Sequence, residues 1–218
     1  MNKNAANALL KHLEEPPLGA VMILVSDSYG AILPTIRSRC QKLHMRGLDF
    51  ADAMRILLTL LPDVEAENLQ ALARLCEGAI ADAIQMHNAQ GLRLYKNIQT
   101  LFSCDAETDR QNLMTEVIDN YTKGDGAQSF MLFHRLLLRW LRMITLFAAR
   151  IEMVPAVYAD DALIAKEVAK RASCQTWIGL REKIDESLRE CQLPMQLDKR
   201  HNLRLIFDDI DDIVMHNA

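Results

Sequence analysis

The amino-acid sequence predicts a mainly α fold, in which a short mixed front segment precedes nearly unbroken helix. Three observations carry this. Aromatic residues make up only 6% of the chain, and Gly and Pro number 8 and 6 in 218 residues, whereas sandwiches and barrels want aromatics and frequent turn residues. From Asp49 onward apolar residues recur at helical spacing, and strand-like runs occur only before residue 47. With 50% hydrophobic and 25% charged residues, an all-β fold and a disordered chain are both improbable.

Taken in order, residues 2–15 place Ala6, Leu9, Leu10 and Leu13 on one helical face, and Pro16-Pro17 ends the helix because proline lacks the amide donor. Residues 20–25 (AVMILV) form a continuous apolar run bounded by Gly19 and by Ser26-Asp27-Ser28, which fits a strand buried on both faces. A second extended piece is expected at 40–46, where Leu43 and Met45 alternate with Lys42 and His44. Asp49 then stands as an N-cap ahead of Phe50, Met54, Leu57, Leu58 and Leu61, with Pro62 and Asp63 marking the next start. A second helix carries Leu69, Leu72, Ala73, Leu75 and Cys76 and stops at Gly78. A third is expected from Ala79 towards Phe102. A polar linker at 103–109 precedes segments at about 110–123, 127–151, 160–191 with a break near Ser173, and 198–215.

Several classes of function are excluded early. The most apolar stretch, 130–149, contains His134, Arg135, Arg139 and Arg142, so a bilayer span is not expected. The opening Met-Asn-Lys-Asn has no apolar run behind it and does not read as a secretory signal. Five scattered cysteines, without a C-x-x-C pair, point to a reduced, cytoplasmic setting without structural zinc. Formal net charge is −4, yet residues 1–47 hold six Lys/Arg against three Asp/Glu, the chain's concentrated positive balance.

Candidates for chemistry narrow to one loop. A phosphate-cradling loop needs glycines followed by Lys and Ser/Thr, and no Gly-Lys dipeptide occurs. Leu205-Ile206-Phe207-Asp208-Asp209 imitates a strand with magnesium-binding carboxylates, but it continues at helical spacing into Ile210, Ile213 and Val214, which makes the aspartates a solvated helix face. The six histidines show no metal-ligand spacing. Arg135, Arg139 and Arg142 fall at i, i+4 and i+7, where an exposed polar stripe opposite Leu137, Leu138, Leu141 and Ile144 outweighs contact with nucleic acid or a neighbouring subunit. The remaining cluster is Leu33-Pro34-Thr35-Ile36-Arg37-Ser38-Arg39-Cys40, two arginines on a loop after a predicted strand. A guanidinium there suits phosphate oxygens, and pairing with a local carboxylate is an equal alternative.

These residues also carry a resemblance. Asn4-Ala5-Ala6-Asn7-Ala8-Leu9-Leu10-Lys11, Leu13-Glu14-Glu15-Pro16-Pro17, the run from Met22 to Ser26, and Leu33 to Cys40 resemble, in order and spacing, the AAA+ clamp-loader subunits of bacterial DNA polymerase III. Within that family the delta-prime type is the nearest look-alike, because the N-A-A-N-A-L-L-K opening is typical of it and Leu197-Asp198-Lys199-Arg200 leading into Leu205-Ile206-Phe207 is similar to its last collar helix. The likeness is strong over 2–41 and holds in outline beyond.

The resemblance implies an arginine finger at Arg39, reaching the γ-phosphate of ATP on a neighbouring subunit. Ser38 and Cys40 would hold that loop at the subunit interface, and Arg37 is a lesser candidate for the same contact. Active ATPases of the family carry a sensor arginine in a pattern like G-S-x-R-D-A; here Gly78-Ala79-Ile80-Ala81-Asp82-Ala83 has Ala81 in its place, which favours the non-hydrolysing delta-prime type over the tau/gamma ATPase. The family's phosphate loop, zinc-binding insert and acidic strand end all precede the helix at which this chain begins, so a shortened form is expected, with no complete ATP-binding or catalytic site of its own. Strands at 20–26 and 40–46 would then lack neighbours and expose apolar faces. The implied organisation is an AAA+ remnant over 1–47, a helical lid over 48–103, and a helical collar over 104–218 that oligomerises through the long helix at 127–151. The implied partners are tau/gamma- and delta-type subunits and, through the complex, the sliding clamp and primed DNA. ATP and Mg²⁺ would sit on neighbouring subunits. The alternatives are a tau/gamma-type ATPase subunit, or a purely helical interaction module with no role at an ATP site.

Overall fold

The computed structural model describes residues 9, 10, 12–26, 28–104, 106–122, 127–152, 154–191 and 198–216. The chain divides into two compact units, Met1–Arg46 and Gly47–Ala218.

In the front unit, residues 9, 10 and 12–14 are helical (α1) and the helix stops before Pro16-Pro17, as the missing proline donor requires. The part of the expected helix before residue 9 lies outside the described residues. A 3-10 turn at Tyr29–Ala31 and the one-turn helix α2, Pro34–Arg37, complete the regular structure among the described residues. The strands expected at 20–25 and 40–46 do not form. The reason is visible in their exposure. Val21, Ile23 and Val25 are 86%, 83% and 91% exposed, and Met22 and Leu24 on the alternate positions are exposed as well. A strand exists only as one member of a ladder that takes up its amides and carbonyls, and among the described residues neither segment has such a neighbour.

Among the described residues the regular structure of the second unit is all helix: α3 (Phe50–Leu60), α4 (Ala66–Leu75), α5 (Ile80–Asn88), α6 (Gly91–Ser103), α7 (Glu107–Thr122), α8 (Ala127–Ala148), α9 (Asp161–Ala169), α10 (Cys174–Glu190) and α11 (Lys199–His216). Three of these starts carry a side-chain cap, the one at Asp49 as the sequence predicts. Asp49 accepts a hydrogen bond from the Asp52 amide at 2.8 Å, and Ser173 accepts one from the Thr176 amide at 3.1 Å. Asp198 does the same for the Arg200 amide at 2.9 Å. The continuous helix expected from Ala79 to Phe102 is instead two. Gln90 takes a left-handed conformation (φ +54°), and a Cβ on Gly91 would lie 2.4 Å from the Met86 side chain and 3.3 Å from Leu132. Gly91 therefore lets α6 turn back tightly over the end of α5. The linker expected at 103–109 is shorter than predicted, because α7 already starts at Glu107.

The long helix α8 is the spine, packing against α6, α7, α9 and α10, while α11 closes the unit against α7 and α10. One buried cluster runs through all of these helices and includes Leu57, Leu72, Phe102, Phe133, Trp140, Trp177 and Phe207. Tyr95 meets Trp140 edge to face with centroids 5.9 Å apart, and Phe133 meets Phe207 likewise at 6.1 Å, the arrangement that ring quadrupoles favour. The aspartates of α11 are not all solvated as expected. Asp211 pairs with the buried Arg110 and Asp209 with Lys183, because the helix lies against α7 and α10 and its acidic edge meets their basic side chains.

The chain enters this unit through a backbone clamp. The Leu48 amide donates to the Gly78 carbonyl at 3.2 Å. Gly78 has φ +80°, and a Cβ there would sit 2.0 Å from the Leu48 carbonyl oxygen. Both the left-handed geometry and the close approach demand glycine. Gly78→Ala is expected to cost about 2–3 kcal/mol, read as a lower urea midpoint with an unchanged m-value; a midpoint within error of the parent protein would refute the clamp.

Candidate functional site

The loop singled out by its arginines is built on α2. Leu33 is extended (ψ 137°) and Pro34 occupies the first helical turn, where its fixed φ is suitable and its missing donor costs nothing. Ile36, 1% exposed, is the apolar anchor of the turn. The helix then tightens and stops: the Ser38 amide donates to the Pro34 carbonyl at 3.0 Å, and the Arg39 amide to Ile36 at 3.1 Å. Ser38 Oγ turns back to donate to the Thr35 carbonyl at 3.1 Å.

Arg39 is held by three acceptors. Its Nη1 donates to the Thr35 carbonyl at 2.9 Å and to Ser38 Oγ at 3.4 Å, and its Nη2 pairs with Glu14 Oε1 at 2.7 Å. The guanidinium keeps 38% of its side-chain surface in water and Glu14 keeps 50%, so the pair contributes no more than about 1 kcal/mol. Of the two readings left open for this arginine, the local carboxylate is thus present, and Glu14 is that carboxylate.

Arg37 points to a different neighbour. Its guanidinium lies 5.1 Å from the centre of the Tyr29 ring, and Lys42 Nζ lies 4.0 Å from the same centroid. Two cations therefore share one half-exposed aromatic ring, each contact contributing about 0.5–1 kcal/mol at an exposed site. Cys40 is a partly exposed free thiol at the exit of the turn. The predicted residues Arg37, Ser38, Arg39 and Cys40 are thus on one turn, with Ser38 and Arg39 in contact and Arg37 directed elsewhere. Glu14, Tyr29 and Lys42 were not anticipated as members of this cluster. The acidic pair Glu14-Glu15 just before two prolines was a usable signal for the first; nothing in the spacing announces the shared ring.

Ala81, at the position compared with a sensor arginine, is an exposed residue in the first turn of α5. Arg135, Arg139 and Arg142 do form a polar stripe on α8 above buried Leu137, Leu141 and Ile144. Arg135 reaches Asp82 at 3.2 Å and Arg139 reaches Glu77 at 3.6 Å. Among the described residues no group of three His, Cys, Asp or Glu side chains is placed to hold a metal ion, and no helix is long and apolar enough to cross a membrane.

The front of the chain matches known proteins closely. Residues 1–49 match the family model described as DNA polymerase III, delta subunit. Over 93 residues, 43% of this chain and 28% of the relative, the sequence is 43% identical to the DNA polymerase III subunit delta' of Pseudomonas aeruginosa. It is 46% identical over 48 residues to the delta' subunit of Bacillus subtilis, covering 22% of this chain and 15% of that protein. Against the DNA polymerase III subunit tau of Escherichia coli it is 34% identical over 90 residues, 39% of this chain and 14% of that one. The matched stretch thus spans little more than a quarter of the length of the first of these relatives. The stretch matched by the family model includes the whole Arg39 loop, and over the regions compared the chain is similar to DNA polymerase III delta' and tau subunits.

Proposed function

We propose that this chain serves as a delta-prime-like subunit of the DNA polymerase III clamp loader, supporting loading of the sliding clamp onto primed DNA during replication, and that Arg39 acts in trans as an arginine finger. Its partners are tau/gamma- and delta-type subunits, with clamp and DNA engaged through the assembly, and ATP with its Mg²⁺ sits on the neighbouring subunit. Residues 48–103 act as the lid and 104–218 as the collar. The observation that supports this best is the Arg39 turn, inside the stretch that matches the family model.

The physical case is one of cheap release. Arg39 is moored by a half-exposed ion pair with Glu14 and by one carbonyl and one hydroxyl. A phosphate oxygen bearing developing charge at a closing interface binds a guanidinium bidentately and with full charge, and exceeds what a screened surface carboxylate offers. Ser38 and Cys40 flank the finger and would face the same interface, and Arg37, held on Tyr29, would remain a lesser contributor. A tau/gamma-type ATPase role has the lower identity and Ala81 against it.

The test is DNA-dependent ATP hydrolysis by a clamp loader reconstituted with this chain. Arg39→Ala is expected to slow it by about tenfold or more, since arginine fingers supply at least that much elsewhere. Arg39→Lys should fail to restore the rate, because ammonium cannot reproduce the planar fork, while Glu14→Ala should leave the rate intact or raise it. An unchanged rate in Arg39→Ala would remove the finger role.

A further inference from the structure

The all-helical unit carries a basic recess that the finger role does not use. Where the turn between α4 and α5 faces α8 and α10, a depression of about 420 Å³ is lined by Arg135, Arg139, Arg142 and Arg181, against two acids, Glu77 and Asp82. A second depression of about 580 Å³ continues past Arg139 and Arg142 towards Arg74. Arg142 and Arg181 have no ion-pair partner among the described residues. Asp82 is engaged by Arg135 at 3.2 Å. Glu77 is 81% exposed and reaches Arg139 only at 3.6 Å, a loose contact that an incoming anion can displace.

We propose that this basic recess binds the phosphate backbone of a nucleic-acid strand, without reading its sequence. The shape of the charge argues for a chain of phosphates over a single small anion. Positions i, i+4 and i+7 on α8 spread guanidinium groups over about 10 Å of helix axis, which is the rise of about three successive nucleotides, and Arg181 of α10 lines the same depression, whereas Arg74 is already held by the Val157 carbonyl at 2.8 Å. Arginine remains charged at every relevant pH and grips phosphate oxygens in a fork. An acidic protein partner is the less suitable occupant, because interfaces between proteins centre on exposed apolar and aromatic anchors, and here Leu75 and Leu136 lie buried beneath the arginines. Among the described residues no aromatic side chain lines this depression, so the binding rests on backbone charge and not on base stacking.

The recess is independent of the finger role and of the front unit. The overall charge of −4 makes its binding sharply testable, since the chain as a whole does not attract polyanions. Fluorescence anisotropy of the full 218-residue chain with a labelled oligothymidylate, titrated at several salt concentrations, is expected to show salt-dependent binding. The double variant Arg139→Ala/Arg142→Ala should weaken it about tenfold or more and lower the log–log salt slope by about 1.4, at roughly 0.7 for each single-strand phosphate that is no longer neutralised. Glu77→Gln should tighten binding about two- to threefold by freeing Arg139. Arg93→Ala, on α6 and paired with Glu116, lines neither depression and should change nothing, and circular dichroism should show each variant folded. Equal affinity and slope in the parent and the double variant would overturn the proposal. So would displacement of the strand by inorganic pyrophosphate at equal phosphate concentration, which would mark a site for compact anions instead.

Discussion

Asp161→Ala is expected to lower the unfolding free energy by about 4 kcal/mol, because it strands three donors that cannot reach water. Asp161 is fully buried at the start of α9. Its Oδ2 accepts hydrogen bonds from the Tyr95 hydroxyl at 2.7 Å, the Val157 amide at 2.8 Å and the Tyr158 amide at 3.0 Å. The carboxylate therefore ties α6 to the segment entering α9, beneath the edge-to-face contact of Tyr95 with Trp140. Burial first, and then the charge and hydrogen bond of Asp161, hold the Tyr95 hydroxyl in its protonated form far above the ordinary tyrosine range. Burial and the neighbouring carboxylates of Glu67 and Asp161 push Tyr158 up to about 12. Both phenols thus remain donors throughout the stable range of the protein. Removing only the first donor, in Tyr95→Phe, should cost about 1–2 kcal/mol, and Asp161→Asn, which retains an acceptor oxygen, should fall between the two. Urea unfolding followed by the fluorescence of Trp140 and Trp177, the chain's two tryptophans and both core residues, reads these differences. The ordering alanine, asparagine, phenylalanine from worst to mildest is the decisive result; Asp161→Ala as mild as Tyr95→Phe would show that the amide contacts contribute nothing.

How much of this was legible in the sequence depended on the range of the interactions. The helix start at Asp49 was readable because a cap is a contact between residues two or three apart, and the break near Ser173 was read likewise from the local sequence. The break at Gln90–Gly91 was not, since what forces it is the approach of Leu132 from α8 and the turn over Met86. The two predicted strands failed for a complementary reason: AVMILV has every local feature of a buried strand, but a strand is defined by its neighbours, and none is present among the described residues. In the candidate site, the loop of Arg37 and Arg39 stood out by its two arginines after a predicted strand. The mooring of Arg39 on Glu14 follows from the return of the chain between residues 14 and 39, and the shared Tyr29 ring has no periodic signature at all. The same limit concealed Asp161, which reads as one of two ordinary acidic residues ahead of a helix until α6 is laid against it.

Breaking the ion pair between α7 and α11 from one side should destabilise the protein strongly, and replacing both partners together should not. Arg110 is 1% exposed and pairs with Asp211 of α11, while its Nε and Nη1 find no hydrogen-bond acceptor among the described residues. Such a pair is a poor source of net stability, because desolvating both charges offsets most of their attraction. The Asp211 carboxyl itself shows that balance: burial pushes it above the ordinary carboxylate range, the nearby charges of Asp208 and Asp212 push the same way, and the Arg110 guanidinium only partly opposes them. Asp211→Leu leaves a guanidinium buried without a counter-ion and is expected to cost about 3–5 kcal/mol. Arg110→Met removes the charge but leaves a partly buried carboxylate with two acidic neighbours, and should cost about 1–3 kcal/mol. Combined, the two substitutions bring an apolar side chain from each helix into a seam already lined by Val117, Phe207 and Ile210, and the double variant should recover to within about 1 kcal/mol of the parent. The coupling in that double-mutant cycle is the measured quantity. A double variant as unstable as the sum of the singles would give zero coupling, and would show that the ion pair is not what links α7 to α11.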